Sequence, residues 1–123
     1  MLATQIRKFS FPLGGDELNM VNVYIAIEDC KRGEFPTLGT KSLLSALCCK
    51  DLSEVIHSQD PTDIAKFIAL KLGRYIMSQD IDISILMLKV EAVVYYSGES
   101  IIGEFILEKE NLVLEAKENE DAL

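Results

Sequence analysis

Two segments near the start of the chain alternate apolar and polar residues with the period of a β-strand. The clearer one runs from Asn19 to Asp29 and places apolar side chains on every second position: Val21, Val23, Ile25 and Ile27. An earlier segment from Ala3 to Phe11 is followed by a turn cluster of proline and glycines at positions 12–15. We expect these segments to form a hairpin with a loop at residues 12–18.

The next part of the chain has apolar residues at spacings of three and four, which indicates helices. A first helix is predicted from about Thr40 to Ile56, with a break near residue 50. A second helix has a strong start signal, because Asp60 can cap it and Pro61 can occupy its first position. We expect this helix to end around Ser78.

The last third of the chain returns to strand patterns. The segment from Ile83 to Tyr96 is apolar on both faces near its centre, which is typical of a strand inside a sheet. A turn at residues 97–99 leads to a returning strand from Ser100 to Leu107. A further short edge segment is expected at residues 111–115.

The order of the predicted elements is strand, strand, helix, helix, strand, strand. Because the strands come in hairpins and do not alternate with helices, the sheet is expected to be antiparallel. We therefore predict an α+β two-layer sandwich, in which a four-stranded antiparallel sheet (ββααββ) carries both helices on one face. This single domain covers residues 1–107, and an acidic C-terminal tail follows at 108–123. The other sheet face has no helix layer, so we expect a partner subunit to cover it.

Composition narrows the functional class. The chain has 123 residues with 12 basic and 20 acidic side chains, which give a net charge of −8. Its Lys and Arg residues are not clustered, as they would be in a protein that replaces phosphate counterions. No apolar run approaches the ~20 residues that span a bilayer, and the N-terminus lacks the apolar core of a secretory signal. We expect no nucleic acid and no membrane among its partners, and a cytoplasmic location.

Cysteine and histidine usage gives no support for a metal or thiol site. Cys30, Cys48 and Cys49 have no C-x-x-C spacing, so we expect buried or half-buried free thiols. The single histidine, His57, would lie two turns from Cys49 along an unbroken helix, beyond hydrogen-bond reach. The usual phosphate-loop, serine-hydrolase and zinc-protease signatures are absent. We predict neither a metal nor a cofactor.

One charged residue stands where the pattern expects an apolar one. Lys89 lies in the middle of the most apolar strand, where an ammonium without a partner would be costly. It can pair with Glu91 on the same face, reach solvent along its own stem, or serve as a desolvated lysine for proton transfer. Two carboxylates have simple interpretations: Glu17 as a solvated loop residue, and Asp63 as a residue stabilised at a helix N-terminus.

Three short stretches resemble the tunnelling-fold proteins of pterin chemistry, and most closely the dihydroneopterin aldolase branch. Residues 15–23, Gly-Asp-Glu-Leu-Asn-Met-Val-Asn-Val, look like the segment in which a glutamate and a leucine lead into the second strand. Residues 62–69, Thr-Asp-Ile-Ala-Lys-Phe-Ile-Ala, are similar to a helix of the form (Ile/Leu)-Glu-x-x-Ala-x-x-Ile-Ala. Residues 88–92, Leu-Lys-Val-Glu-Ala, resemble the lysine-bearing strand that precedes the last hairpin. The resemblance spans residues 4–107.

The resemblance implies a role for each matching residue. Lys89 falls in the position of the catalytic lysine, which works with a bound water as acid and base, and Glu17 falls near the loop glutamate. Thr62 stands where the family has the helix glutamate that anchors the pterin ring, and Asp63 is next to it. The aldolase tyrosine has no counterpart, because its region reads Asp-Leu-Ser-Glu and offers Leu52 to the substrate. The zinc-dependent pyruvoyl-tetrahydropterin synthase branch is excluded, since it needs three histidines.

Two functions remain open from the sequence. The first is a dihydroneopterin aldolase-like lyase of folate biosynthesis: a homo-oligomer (tetramer or octamer) formed by strand pairing, with a pterin-type heterocycle bound at subunit junctions. The missing ring anchor then implies altered or lost lyase activity. The second is a non-enzymatic assembly chaperone or adaptor, similar to the proteasome assembly chaperones, that acts through protein contacts. The small number of groups that ionise near neutrality favours this second function over most enzyme classes.

Overall fold

The described part of the chain folds into a four-stranded antiparallel sheet and two helices of more than ten residues. The computed structural model describes residues 4–13, 16–28, 35–48, 60–79, 85–96 and 98–111. In chain order the elements are β1 (Thr4–Leu13), β2 (Asp16–Glu28), α1 (Thr37–Cys48), α2 (Pro61–Met77), β3 (Ile85–Tyr96) and β4 (Glu99–Glu108). Neighbouring strands pair antiparallel in the order β1-β2-β3-β4. The predicted α+β class and four-stranded antiparallel sheet are confirmed, and the described elements follow the order ββααββ.

The first hairpin is tighter than the sequence predicted. β1 continues through Pro12 to Leu13 and β2 begins at Asp16, so most of the predicted loop at residues 12–18 is strand. Proline has no backbone N–H to donate to a neighbouring strand. It is tolerated here because β1 is an edge strand and has a neighbouring strand on one side only. The pairing register shifts between Pro12 and Leu13: Pro12 pairs with Met20, whereas Leu13 pairs with Asp16. The shift accommodates the extra residues that β2 has at this end of the hairpin.

The second hairpin agrees closely with the sequence. β3 covers most of the predicted segment, and β4 exceeds its predicted bounds by one residue at each end. Gly98 has a φ of 84°, a left-handed conformation that glycine adopts without steric cost, and it lies in the predicted turn. Residues 109–111 then form a helical turn. The edge segment predicted at 111–115 is therefore wrong at its first residue, and its remainder lies outside the described residues.

Helix α2 begins and ends where its sequence signals predicted. The Asp60 carboxylate accepts a hydrogen bond of 2.8 Å from the Thr62 N–H, and Pro61 occupies the first position. At the other end, the Ser78 N–H donates to the Arg74 carbonyl at 3.1 Å. The helix therefore has a capped, well-defined start, and that start is where two of the candidate residues lie.

Helix α1 begins earlier than the sequence predicted. Its first residue is Thr37, because the Thr40 N–H already donates to the Pro36 carbonyl at 2.9 Å and closes a first turn. The prediction placed the start at Thr40 since the apolar periodicity becomes clear only after it. The predicted continuation to residue 56 lies outside the described residues.

The core lies on one face of the sheet, because the apolar alternation of the four strands is in phase. The register places these residues side by side across the sheet: Phe9, Val23, Val90 and Phe105. Val23 and Val90 are fully buried, and each contributes about 1.5–3 kcal/mol by leaving water. Ile68 and Leu72 of α2 are also fully buried and belong to the same core.

Helix α2 packs against β3 and β4, and its first turn lies directly on β4 at Gly103. A Cβ atom at Gly103 would lie 2.6 Å from the Pro61 carbonyl oxygen and would overlap the Thr62 backbone nitrogen. Gly103 belongs to the buried alternation of β4, so α2 lies on the core face. Helix α1 contacts α2 and β1, and its placement on that same face stays a prediction.

We expect Gly103→Ala to destabilise the protein by about 1–3 kcal/mol, because the added methyl group meets backbone that cannot rotate away. Urea denaturation of the variant and the parent measures this difference. Ser100→Ala, at an exposed position of the same strand, is the matched control. A Gly103→Ala variant as stable as this control would contradict the close seating of α2 on β4.

A second glycine, Gly39 of α1, lies where the two helices are in contact. A Cβ atom at Gly39 would overlap the Tyr75 hydroxyl and lie 2.9 Å from its Cζ atom. The added methyl group displaces the end of the Tyr75 side chain, whereas alanine itself favours the helix more than glycine does. We therefore expect Gly39→Ala to be more favourable for stability in a Tyr75→Phe background, where the hydroxyl is gone, than in the parent. Thermal or urea unfolding of the four proteins in this cycle measures the coupling. An equal effect of Gly39→Ala in both backgrounds would contradict a contact between residue 39 and the Tyr75 hydroxyl.

Candidate functional site

The sheet face opposite the core, which we call the open face, carries the candidate lysine. Two neighbouring rows across its centre are charged or polar except for one isoleucine, and the register gives their members: Lys8, Tyr24, Lys89 and Ile106, then Ser10, Asn22, Glu91 and Glu104. Beyond these rows the face carries exposed apolar residues, with Ile6 69% and Ile102 60% exposed, and the row of Ile6 ends at Glu108. The open face is therefore charged in its centre and has exposed apolar side chains towards both ends.

The Lys89 side chain forms an ion pair on the open face with a residue of the neighbouring strand β4. Its Nζ atom lies 3.3 Å from the Glu104 Oε2 atom, and its side chain is 31% exposed. The sequence pattern pointed to Glu91 as the partner, but that residue lies along the same strand, whereas Glu104 lies diagonally across the β3–β4 pair. The ammonium is paired and only partly removed from water.

Tyr24 links the two lysines of its row. The Lys8 Nζ atom and the Lys89 Nζ atom each lie 5.4 Å from the centroid of its ring. Contacts of this kind contribute about 0.5–1 kcal/mol at exposed sites. In the adjacent row the Ser10 hydroxyl donates to the Asn22 Oδ1 atom at 2.7 Å. These contacts give the polar centre of the open face a defined arrangement.

Thr62 and Asp63 lie on the other side of the sheet. Both are exposed residues in the first turn of α2, which is seated on the core face of β4. Asp63 gains from the positive end of the helix dipole, as the sequence predicted. The structure therefore keeps these two candidates together but separates them from Lys89 by the sheet itself.

The remaining two candidates are only partly described or lie outside the described residues. Glu17 belongs to strand β2 and not to a loop, which corrects the interpretation of this residue as a loop carboxylate; its side chain lies outside what the structure describes. Strand β2 begins at Asp16, which pairs with Leu13, before the alternation becomes visible in the sequence. Leu52 lies outside the described residues.

Sequence reasoning missed the residues that surround Lys89. Glu104 and Lys8 come from other strands than Lys89, and they reach its neighbourhood only through the pairing register. The alternation did place Tyr24 on the polar side of β2. Its position next to Lys89 depends on how β2 aligns with β3, for which no local signal exists.

The described residues offer neither a metal-binding cluster nor a membrane-spanning helix. Within those ranges, no group of three His, Cys, Asp or Glu side chains is close enough to hold a metal ion. Cys48 is buried, as the sequence predicted for this cysteine; Cys30, Cys49 and His57 lie outside the described residues. Neither α1 nor α2 combines the length and the apolar character needed to cross a bilayer.

Comparison of the chain with protein-family models, curated proteins and solved structures finds no match.

The pairing of Lys89 can be measured by a double-mutant cycle. We expect Lys89→Met and Glu104→Gln to be coupled by about 0.2–1 kcal/mol, the range for partly exposed ion pairs. The same cycle with Glu91→Gln is the matched control and should give almost no coupling. Urea denaturation supplies both values. A larger coupling to Glu91 than to Glu104 would contradict the cross-strand geometry.

Proposed function

We propose that the protein binds a pterin-type heterocycle between two of its own copies, as its resemblance to the dihydroneopterin aldolases implies. The ββααββ order of the described elements agrees with this proposal. The observation that carries it is the position of the candidate residues, with Lys89 on the open face and Thr62 and Asp63 on the core side of the sheet.

A ligand that touches both groups has to lie between copies. Within one copy, the backbone of β3 and β4 stands between Lys89 and the first turn of α2. A small flat molecule cannot reach through a paired sheet, because the strands lie only about 5 Å apart. The lysine of one copy and the helix start of another are therefore the two halves of the proposed site.

The helix start supplies the groups that would hold the ring. Asp63 is exposed and has two oxygens that can accept hydrogen bonds from the amino and ring N–H groups of a pterin. Thr62 offers one hydroxyl in the position where the aldolases have their anchoring glutamate. The anchor is thus displaced by one residue, which supports binding of a pterin-type ring with altered or lost lyase activity.

The open face supplies the proton-transfer group. Glu104 and Tyr24 hold the Lys89 ammonium in place, so it can donate a proton or a hydrogen bond without first becoming ordered. The resemblance gives Glu17 the second proton-transfer role and Leu52 a contact with the substrate.

Titration with 7,8-dihydroneopterin tests the proposed function. We expect saturable binding by the parent, a loss of about tenfold or more in Asp63→Asn, and no cleavage of the pterin by Lys89→Met. The Lys89→Met variant should keep the assembly state of the parent. Lys41→Met, an exposed position on α1, is the matched control and should behave like the parent. Binding is followed by ligand fluorescence and cleavage by chromatography of the pterin products.

Two results would contradict this function. The first is a parent protein that neither binds nor cleaves the pterin; the second is an Asp63→Asn variant that binds as tightly as the parent.

A second candidate function is a non-enzymatic adaptor, and it is favoured by the exposed apolar residues of the open face. Ile102 is 60% exposed next to the charged rows, and Ile106, within one of them, is 42% exposed. Exposed apolar side chains of this kind suit a protein partner, since they are removed from water in an interface. The absence of pterin binding in the titration above would favour this candidate.

A further inference from the structure

The two lysines in the centre of the open face differ in their partners. Lys89 forms an ion pair with Glu104, whose Oε2 atom lies 3.3 Å from its Nζ atom. Lys8 lies on the other side of Tyr24, and its Nζ atom is 5.4 Å from the centroid of the tyrosine ring. Among the described residues, Lys8 forms no ion pair. Because its side chain is exposed, the Lys8 ammonium can bind an anion that comes from solution.

The residues around Lys8 add further hydrogen-bond donors. The Ser10 hydroxyl donates to the Asn22 Oδ1 atom at 2.7 Å, so the amide N–H groups of Asn22 are the donors that this side chain offers to a ligand. Tyr24 lies two residues from Asn22 on β2, and therefore on the same face of the sheet, where its hydroxyl is another donor. An ammonium, an amide and a hydroxyl thus occupy neighbouring positions of β1 and β2.

The half of the open face that β1 and β2 form is positively charged in its central rows. The β1–β2 register gives its members, none of which is acidic: Ile6 and Ala26, Lys8 and Tyr24, Ser10 and Asn22, Pro12 and Met20. The acidic residues of the two central rows, Glu91 and Glu104, belong to β3 and β4. The whole chain has a net charge of −8, so its overall field repels anions. Only a local arrangement of donors can hold one.

Lys8 and Lys89 are close enough for one small molecule to contact both. They lie in the same row of the sheet, on the two strands that flank β2. Two strand spacings separate their backbones by about 10 Å. A bicyclic ring with a short side chain can bridge this distance. The acidic group of such a molecule would lie at Lys8, because the Lys89 ammonium already has a carboxylate partner.

We propose that Lys8, Asn22 and Tyr24 form a subsite for an oxyanion, and that the small molecule bound on the open face carries such a group as a carboxylate or a phosphate ester. Both groups have oxygen atoms that accept hydrogen bonds from an ammonium, an amide and a hydroxyl. Lys8 then determines specificity, because it distinguishes an acidic ligand from a neutral ligand with the same ring. The identity of the ring rests on the proposed function, whereas the oxyanion subsite does not.

Two pterins with the same ring test this specificity. Pterin-6-carboxylate carries an acidic group, and 6-hydroxymethylpterin is its neutral counterpart. We expect the parent to bind the carboxylate about tenfold more tightly, because the added charge forms a charge-assisted hydrogen bond with Lys8. Lys8→Met should lower this ratio of affinities to about one. Lys8→Arg, which keeps the charge, should keep the ratio.

Fluorescence titration of the two ligands measures the affinities, and urea unfolding confirms that each variant is folded. Lys41→Met is the matched control, because it removes the same charge at an exposed position of α1, and it should keep the ratio of the parent.

Titration with anions alone tests the subsite without a pterin. Inorganic phosphate or acetate should shift the NMR signals of the Asn22 side-chain amide in the parent, and sodium chloride at the same ionic strength should not. The shift should disappear in Lys8→Met, because the ammonium that holds the anion is gone. The anion that gives the shift at the lower concentration identifies the acidic group of the ligand, phosphate for a phosphate ester and acetate for a carboxylate.

The outcomes separate the subsite from the proposed function. If phosphate or acetate shifts the Asn22 signals through Lys8 and neither pterin binds, the subsite stands and the proposed function fails. If the parent binds both pterins with equal affinity, pterin binding stands and the subsite is overturned. The subsite is also overturned by a Lys8→Met variant that prefers the carboxylate as strongly as Lys41→Met does. Asn22 signals that chloride shifts as much as phosphate and acetate would overturn it as well.

Discussion

The seating of helix α2 on strands β3 and β4 is the contact on which the rest of the structure depends. It can form only because Gly103 leaves room for the backbone of Pro61 and Thr62, and because the apolar alternation of the strands faces one way. The contact divides the sheet into a covered core face and an open face. It also fixes where the candidate residues lie, with the helix start on one side and Lys89 on the other.

Much of this arrangement could be predicted from the sequence because its signals are local. The cap formed by Asp60, the proline that follows it and the alternation of β2 each lie within a few residues, and the structure has all three. Glycine at 98 likewise marks the last turn. Local patterns were therefore enough to predict the element order and the α+β class.

The parts that could not be predicted depend on how distant strands align. The carboxylate beside Lys89 is Glu104, on another strand, and the sequence pattern pointed to Glu91 because only spacing along one strand is visible there. The contact between Gly103 and helix α2 has no signal in the sequence either. A glycine in any strand looks the same in sequence as one that lies against a helix. The sequence places Glu17 in a loop because the proline and glycines at positions 12–15 predict a turn, whereas β2 already begins at Asp16.

The account predicts an assembly because the candidate residues lie on opposite faces of the sheet, so any site that they share requires a second copy. The polar centre of the open face, with Lys89, Tyr24 and Glu104 in contact, is compatible with a surface that faces a ligand or another chain. The sheet thus determines both where the candidate residues lie and why a site that they share needs a second copy.

The most direct test of this account is the native mass of the unmodified protein, measured by size-exclusion chromatography with light scattering. The account predicts four or eight times the chain mass of 13.7 kDa, as expected for a tetramer or an octamer. A mass of 13.7 kDa at every concentration would contradict it, because a single copy leaves Lys89 and Asp63 on opposite sides of the sheet.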